Sequence, residues 1–234
     1  MAEKEAILEK LKILADAVPF QEGKELTAIV KPYPLFQGNF VMLEKGKLTQ
    51  VTADNWREVN AKLLELLATS LNRKLGTDSV LWAVFLMVSS PYRIQFLDFI
   101  IDDITPAEIG EVLKWVWTDT EFPNQYPIPI LVRLFEKADK ATLMSKEDKE
   151  YYDKLPEIIT IYRGTQSKKA KRLGMSWSLD KEKAVWFANR WKTLGGKVYK
   201  ATIHKQYVYA YFNNRQEQEI VVNLNGLEGV TPLC

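Results

Sequence analysis

Cysteine and histidine are almost absent from this chain, and their scarcity excludes several kinds of site. Its 234 residues include one cysteine, Cys234 at the last position, and one histidine, His204. A single cysteine forms no intramolecular disulfide, which favours a reducing, cytoplasmic compartment. Zinc sites with two or more histidine or cysteine ligands are excluded, and a Cys–His catalytic pair would require Cys234 to fold back onto His204.

Strong net charge and long apolar segments are also lacking. The 32 basic and 30 acidic residues leave a net charge of +2, which favours neither nucleic acid nor an anionic membrane as a partner. The opening residues 1–5 lack the basic-then-apolar order of a signal peptide. The longest apolar run, residues 80–88, is far shorter than the ~20 residues that a membrane span needs. We therefore expect no membrane association.

The residues that are present predict an α+β protein whose two parts differ in periodicity. Apolar side chains make up 47% of the chain and charged ones 26%, as in ordinary globular proteins. Helical spacing dominates residues 1–155, apart from short apolar runs at 26–51 that we interpret as one or two strands. After Pro156 the spacing is that of short strands, interrupted by a helix over about 181–193. We predict a mainly helical N-terminal lobe over 1–155 and a β core over 156–234.

Capping signals mark two of the predicted helix starts. Thr105 precedes Pro106 and stands three residues before Glu108, which is the pattern of a capping box with proline at the first helical position. Ser145 stands at the head of a short charged segment that ends before Pro156. We therefore expect helices to begin directly after Thr105 and Ser145.

Three short polar motifs occupy predicted strands of the β core. They are Tyr162-Arg163-Gly164 at the end of one strand, Ser176-Trp177-Ser178 on the next, and Glu217-Gln218-Glu219 at the start of a later one. Because side chains alternate along a strand, the two serines should share one face of theirs, and the two glutamates one face of theirs, about 7 Å apart. Taken singly, these residues are explained more simply as a surface ion pair, strand-face serines and an exposed strand edge.

In this order the motifs resemble the R-S-E class of mono-ADP-ribosyltransferases, of the arginine-directed type with a Glu-x-Glu pair. The similarity covers roughly residues 157–223 and includes a strand-then-helix unit, in which Ser176–Asp180 is followed by Ala184, Phe187 and Ala188. The resemblance implies a split β-sandwich core with the helical lobe packed on it. It also implies NAD as a substrate and no metal ion.

The resemblance further implies catalytic roles. Glu219 matches the glutamate that stabilises the oxocarbenium-like state formed when the nicotinamide–ribose bond breaks, and that hydrogen-bonds the ribose 2′-hydroxyl. Ser176 matches the serine that orients this glutamate and the nicotinamide ribose. Glu217 matches the acid that helps to activate the acceptor guanidinium in arginine-directed members.

Four residues are expected to bind NAD by the same resemblance. Arg163 matches the arginine that holds the pyrophosphate, for which a planar, permanently charged guanidinium is well suited. Gly164 matches the position whose backbone contacts the nicotinamide amide, and glycine permits close approach to the backbone. Ser176 and Ser178 complete the set. Trp177 between them replaces a common threonine and should face the core.

The sequence thus predicts transfer of ADP-ribose from NAD to a protein acceptor, with an arginine side chain favoured by the Glu-x-Glu pair. Three alternatives stay open: a non-catalytic interaction module on the same fold, a NAD glycohydrolase in which water is the acceptor, and a nucleic-acid acceptor. The short turn 213–216 lies where family members recognise their protein substrate, so the acceptor is undetermined. The sequence indicates no oligomeric state.

Overall fold

The described part of the chain contains both helices and antiparallel strands. In the computed structural model it comprises residues 2–17, 40–44, 47–50, 54–72, 81, 82, 84–86, 88, 90–119, 126–165, 174–190 and 196–233. Contacts divide the chain into two compact units, residues 1–108 with 115–121 and residues 109–114 with 122–234. The α+β prediction is confirmed, whereas the predicted boundary between residues 155 and 156 stays a prediction.

The first unit is mainly helical. Its elements are α1 (Ala2–Ala17), β1 (Phe40–Glu44), β2 (Lys47–Gln50), α2 (Trp56–Asn72) and α3 (Ser90–Ile100), and α4 (Pro106–Asp119) is divided between the two units. The antiparallel pair β1–β2 confirms that strands occur within 26–51. The predicted opening helix is confirmed by α1, which buries the apolar stripe of Ile7, Leu11 and Leu14.

Helix α4 begins as the capping box predicts. The Thr105 hydroxyl accepts a hydrogen bond from the Glu108 amide at 3.3 Å, and the Glu108 carboxylate accepts one from the Thr105 amide at 2.8 Å. These bonds satisfy backbone donors that the first turn of a helix leaves without intrahelical partners. The predicted apolar positions of this helix are all buried: Ile109, Val112, Leu113 and Val116.

Helix α3 is absent from the sequence-based prediction, although a signal for it exists. The helix starts at Ser90-Pro91, and proline is favoured in a first helical turn because its missing amide has no partner there. Ile94, Leu97 and Ile100 recur at a spacing of three and are fully buried. The apolar run at 80–88 comes just before this start, so the sequence shows no clear boundary between the two segments.

A buried arginine fastens α3 within the first unit. Arg93 is 3% exposed, and its Nε donates to the carbonyls of Phe85 at 3.1 Å and Val88 at 2.9 Å. Its Nη1 donates to the Asp119 carboxylate, and its guanidinium carbon lies 4.2 Å from the ring centre of Trp115. Two nitrogens and one face of this guanidinium are therefore engaged by surrounding groups.

The second unit contains a six-stranded sheet with helices around it. Beside its share of α4, the elements are α5 (Ile128–Lys137), α6 (Lys140–Leu143), α7 (Lys146–Asp153), β3 (Ile158–Thr165), β4 (Ser176–Ser178), α8 (Lys181–Asn189), β5 (Lys197–His204), β6 (Val208–Phe212), β7 (Glu219–Val222) and β8 (Leu227–Leu233). The strand order is β6-β7-β4-β3-β5-β8, and all neighbouring strands are antiparallel. The cap predicted at Ser145 is confirmed, because its hydroxyl accepts from the Asp148 amide at 3.0 Å.

Burial differs between the two ends of this sheet. Every residue of β6 and β7 is buried, so both faces of these strands are covered. Helix α7 contributes to the cover, with the Tyr151 and Tyr211 rings stacked at 4.5 Å. By contrast β3 begins with alternating burial, and β8 has no fully buried residue. In the described part of the chain a single residue pair, Tyr162 with Ser178, joins β3 to β4.

Three sequence-based expectations need correction or lie outside the described residues. The strand predicted to start with Glu217-Gln218-Glu219 is wrong at its start, because β7 begins at Glu219 and Gln218 has a left-handed φ of +44° that interrupts extended backbone. The predicted helix over 181–193 is described only to residue 190, where α8 has already ended. The basic residues for which the sequence favours a solvated helix face lie outside the described residues: Lys168, Lys169, Lys171 and Arg172.

None of the helices described is both long and apolar enough to cross a membrane. Among the same residues, no three histidine, cysteine, aspartate or glutamate side chains are grouped as a metal site would require. The cytoplasmic location stays a prediction.

Candidate functional site

The sheet brings three of the predicted site residues onto adjacent strands. Arg163 lies on β3, Ser176 on β4 and Glu219 on β7, and these strands are neighbours in the order β7-β4-β3. Cross-strand pairing places Ser178 opposite Glu219 and Ser176 opposite Val221. Side chains of paired residues lie on one face, so Ser178, rather than Ser176, is the direct cross-strand neighbour of Glu219.

The side chain of Arg163 is joined to β4 where the strand pairing stops. The Met175 carbonyl accepts from the Val222 amide and the Leu179 amide donates to the Gln218 carbonyl, so the two residues that flank β4 face β7. Because bonding direction alternates along an antiparallel strand, the backbone of Ser176 faces β3. Its carbonyl accepts a hydrogen bond from Arg163 Nη1. The guanidinium thus takes the place of a ladder bond between the two strands.

This guanidinium is desolvated and only partly satisfied. The side chain of Arg163 as a whole is partly exposed, but its Nε atom is buried and has no hydrogen-bond acceptor among the described residues. Burial lowers the pKa of Arg163 to about 10, and the nearby Glu219 carboxylate opposes that shift. The group remains a cation at neutral pH, and an additional anion would relieve its desolvation.

Glu219 is a buried carboxylate at the first position of its strand. Its exposed fraction is 7%, and its cross-strand neighbours are Ser178 on β4 and Phe212 on β6. An ionised carboxylate in such surroundings requires charged or hydrogen-bonding partners. Arg163, on the far side of β4, supplies a charge of opposite sign.

Ser178 ties the segment before Glu219 to the start of helix α8. Its hydroxyl donates to the Glu217 carbonyl at 2.7 Å and accepts from the Asp180 amide at 3.0 Å. Asp180 in turn caps α8, accepting from the Glu182 amide at 2.7 Å. The hydroxyl proton of Ser178 is therefore committed to the fold, and its predicted contact with NAD stays a prediction.

Glu217 does not lie on the strand that carries Glu219. The left-handed Gln218 separates them, and the prediction that both glutamates share one strand face is wrong for that reason. The Glu217 carboxylate instead faces Arg215, with 3.6 Å between Oε2 and Nε. Its side chain is 22% exposed, so it is accessible from solvent.

Asn213 organises the turn before Glu219 and was not singled out by the sequence. Its carbonyl accepts from the Gln216 amide at 2.9 Å, and its side-chain oxygen accepts from the Gln218 amide at 3.1 Å. The Asn213 amide donates to Asp148 of α7 at 3.2 Å. These bonds hold two non-glycine residues at positive φ, Gln216 at +54° and Gln218 at +44°. The available signal was the pair Asn213-Asn214, since asparagine favours turns through its side-chain oxygen.

Gly164 is approached closely, and the group that approaches it is helix α8. A Cβ at this position would lie 2.0 Å from the Ala184 carbonyl oxygen and 2.7 Å from the Ala188 nitrogen. Glycine is therefore required here by the packing of α8 against β3. Its predicted contact with the nicotinamide amide stays a prediction.

Trp177 faces the core, as expected from the alternation along β4. It is 2% exposed, and its indole Nε1 donates to the Gly174 carbonyl at 3.1 Å. The aromatic residue in the Ser-x-Ser motif therefore serves packing beneath the sheet.

No protein-family model, curated protein or solved structure matches this chain. The function must accordingly be argued from the residues of this chain alone.

Proposed function

We propose that this chain is an NAD-dependent mono-ADP-ribosyltransferase of the R-S-E class that modifies arginine, and that its sheet is the split core of that class. The observation that carries the proposal is the linked placement of Arg163, Ser176 and Glu219 on three adjacent strands. The single-pair junction between β3 and β4 supports the split. Their strands are neighbours in the sheet although Ser176 and Glu219 are far apart in the sequence.

Arg163 supplies the binding charge in this proposal. A buried cation with an unused donor is unfavourable by itself and is stabilised by an anion that accepts from it. The pyrophosphate of NAD offers such oxygens. The bond from Nη1 to the Ser176 carbonyl holds the guanidinium in place while Nε has no acceptor among the described residues.

Glu219 supplies the charge that promotes cleavage. Breaking the nicotinamide–ribose bond develops positive charge on the ribose, and a preorganised carboxylate in a partly desolvated site stabilises it. Glu219 is almost fully buried and held at the start of a strand that is covered on both faces. Ser176, on the adjacent strand, is the residue proposed to orient the ribose.

Glu217 is proposed to act on the acceptor. An arginine guanidinium is protonated at neutral pH and becomes a nucleophile only when a base removes a proton. Glu217 is more exposed than Glu219 and already lies beside a guanidinium, that of Arg215. Its separation from the strand places it outside the buried part of the site.

The test compares two glutamate variants with a matched control. Purified protein is incubated with NAD and an arginine-containing acceptor, and nicotinamide release and ADP-ribose transfer are measured separately. Glu219→Gln should reduce both by about 100-fold or more, because it removes the stabilising charge. Glu217→Gln should reduce transfer by about 100-fold while nicotinamide release stays largely intact. Glu228→Gln, at an exposed position of β8, is the control and should change neither.

The same measurements distinguish the alternatives. Nicotinamide release without any transferred ADP-ribose would identify a NAD glycohydrolase instead. Failure of the wild-type protein to bind or consume NAD would overturn the proposal and favour an interaction module. Transfer to added nucleic acid, with none to arginine, would overturn only the choice of acceptor.

A further inference from the structure

The turn before Glu219 carries its own guanidinium and directs it at the acceptor-activating carboxylate. Arg215 Nε lies 3.6 Å from Glu217 Oε2, and the Arg215 side chain is 46% exposed. Gln216, between the two residues, has a φ of +54°, so the backbone turns at that point. An arginine of this chain thus occupies the place proposed for an arginine of another protein.

The contact is fixed from both sides by the surrounding fold. Asn213 accepts from the amides of Gln216 and Gln218, which closes the turn around Arg215. On the other side, the Ser178 hydroxyl donates to the Glu217 carbonyl. The guanidinium and the carboxylate are therefore presented together by anchored backbone rather than by two free side chains.

Stability offers a poor reason for this pairing. An ion pair between partly exposed side chains at 3.6 Å contributes little, because water screens it. Holding a reacting group beside its activating base, by contrast, raises the effective concentration of that group by several orders of magnitude. The arrangement thus favours a reaction within one chain.

We propose that Arg215 is an internal acceptor, so that the protein modifies itself with ADP-ribose at this residue. The inference rests on the proposed function. A guanidinium nitrogen of Arg215 forms a bond to C1′ of the nicotinamide ribose as the bond from C1′ to the nicotinamide nitrogen breaks. The electron pair of that bond leaves with neutral nicotinamide, and Glu217 takes the guanidinium proton and releases it to solvent. NAD and arginine thus yield ADP-ribosyl-arginine, nicotinamide and one proton.

The experiment uses the full purified chain and NAD without any added acceptor. Nicotinamide release is followed by chromatography, and the site of modification is located by peptide mass spectrometry. One ADP-ribose per chain should appear on the peptide that contains Arg215. Its rate constant should stay the same over about a tenfold range of protein concentration, because the reaction is intramolecular.

Variants separate this site from other arginines. Arg215→Lys keeps a cation beside Glu217 but should abolish the modification. Arg190→Lys, at the exposed end of α8, is the matched control and should be modified as the wild type is. Glu217→Gln should also abolish the modification while nicotinamide is still released.

A mixture of two variants tests whether the reaction stays within one chain. Glu219→Gln retains Arg215 without the cleaving carboxylate, and Arg215→Lys retains that carboxylate without the acceptor. The mixture should leave Arg215 unmodified, and modification at the wild-type rate would overturn the intramolecular reaction. Nicotinamide release with transfer to an added acceptor but no modified Arg215 would overturn the self-modification alone. No nicotinamide release at all would overturn the proposed function, and this inference with it.

Discussion

Each unit of this protein contains a desolvated arginine, and the two are used differently. Arg93, in the helical unit, is 3% exposed and donates to two backbone carbonyls and to the Asp119 carboxylate. Arg163, in the sheet unit, donates to the Ser176 carbonyl and has a buried Nε with no acceptor among the described residues. Burial lowers the pKa of both side chains, and a nearby carboxylate opposes the shift in each.

The difference is that the Nε and Nη1 atoms of Arg93 have acceptors, whereas the Nε of Arg163 has none among the described residues. Buried polar groups in native proteins are almost always satisfied, so a donor left without an acceptor needs an explanation. No such explanation is needed for Arg93, because its Nε and Nη1 donate hydrogen bonds to two carbonyls and a carboxylate. In Arg163 the donor that has no acceptor among the described residues lies at the junction of β3 and β4, where the proposal puts the anionic oxygens of NAD.

The largest effect should come from replacing each arginine by methionine and comparing the free energies of unfolding. Arg93→Met leaves two carbonyls and a carboxylate without their donor and should destabilise the protein by about 3 kcal/mol. Arg163→Met removes one carbonyl partner but also removes the cost of burying a charge, so a loss of about 1 kcal/mol or less is expected. Denaturant titration measures both.

The same pair of variants tests binding. Stabilisation by added NAD should persist in Arg93→Met and vanish in Arg163→Met, because a ligand stabilises only the state that binds it. Equal destabilisation by the two variants, with NAD stabilising both, would show that Arg163 is a structural residue like Arg93.

An intermediate effect is expected at the glycine next to Arg163. Gly164→Ala places a methyl group 2.0 Å from the Ala184 carbonyl oxygen, so β3 and α8 must separate, at a cost of about 2–3 kcal/mol. Gly229→Ala is the control, since its φ is +59° but nothing lies near the added methyl, and about 1 kcal/mol is expected. Thermal unfolding of both variants measures the difference. If they were equally destabilised, packing against α8 would not be what fixes the Arg163 end of β3.

The smallest effect should come from the turn that places Glu219, the carboxylate that acts on Arg163. Asn213→Ala removes the acceptor for the Gln218 amide and should lower stability by about 1 kcal/mol. Asn213→Asp keeps an acceptor oxygen and should restore most of it. Amide hydrogen exchange at Gln218 should be faster in the alanine variant alone. Unchanged exchange there would show that other contacts hold the turn.

Local signals predicted much of the fold but not the edge strand β8, helix α3 or the short helix α6. The caps at Thr105 and Ser145 are confirmed because a cap depends on residues within one turn. Strand β8 escaped prediction because Gly229 and Pro232 interrupt its pattern. Such residues are tolerated in β8 because it lies at the edge of the sheet.

The candidate site was predicted in its residues more fully than in its geometry. Arg163, Ser176 and Glu219 lie on adjacent strands, which their order in the sequence does not by itself establish. The expectation that Glu217 and Glu219 share one strand face is wrong, because the left-handed backbone of Gln218 breaks the alternation between them. Gln218 carries no sequence signal for that conformation, which is held by bonds from Asn213 and Leu179.

The sequence by itself determined features that depend on neighbours along the chain: that helices begin after Thr105 and Ser145, and that short strands follow Pro156. Tertiary structure alone decided which strands are neighbours in the sheet, and that the Arg163 side chain replaces a backbone hydrogen bond to Ser176. It also decided that the Glu217 carboxylate lies beside Arg215. The physical reason is the separation along the chain between the groups that decide each feature. Caps and alternation are set within a few residues, whereas the burial and pairing of a charge depend on groups that the chain brings together only when it folds.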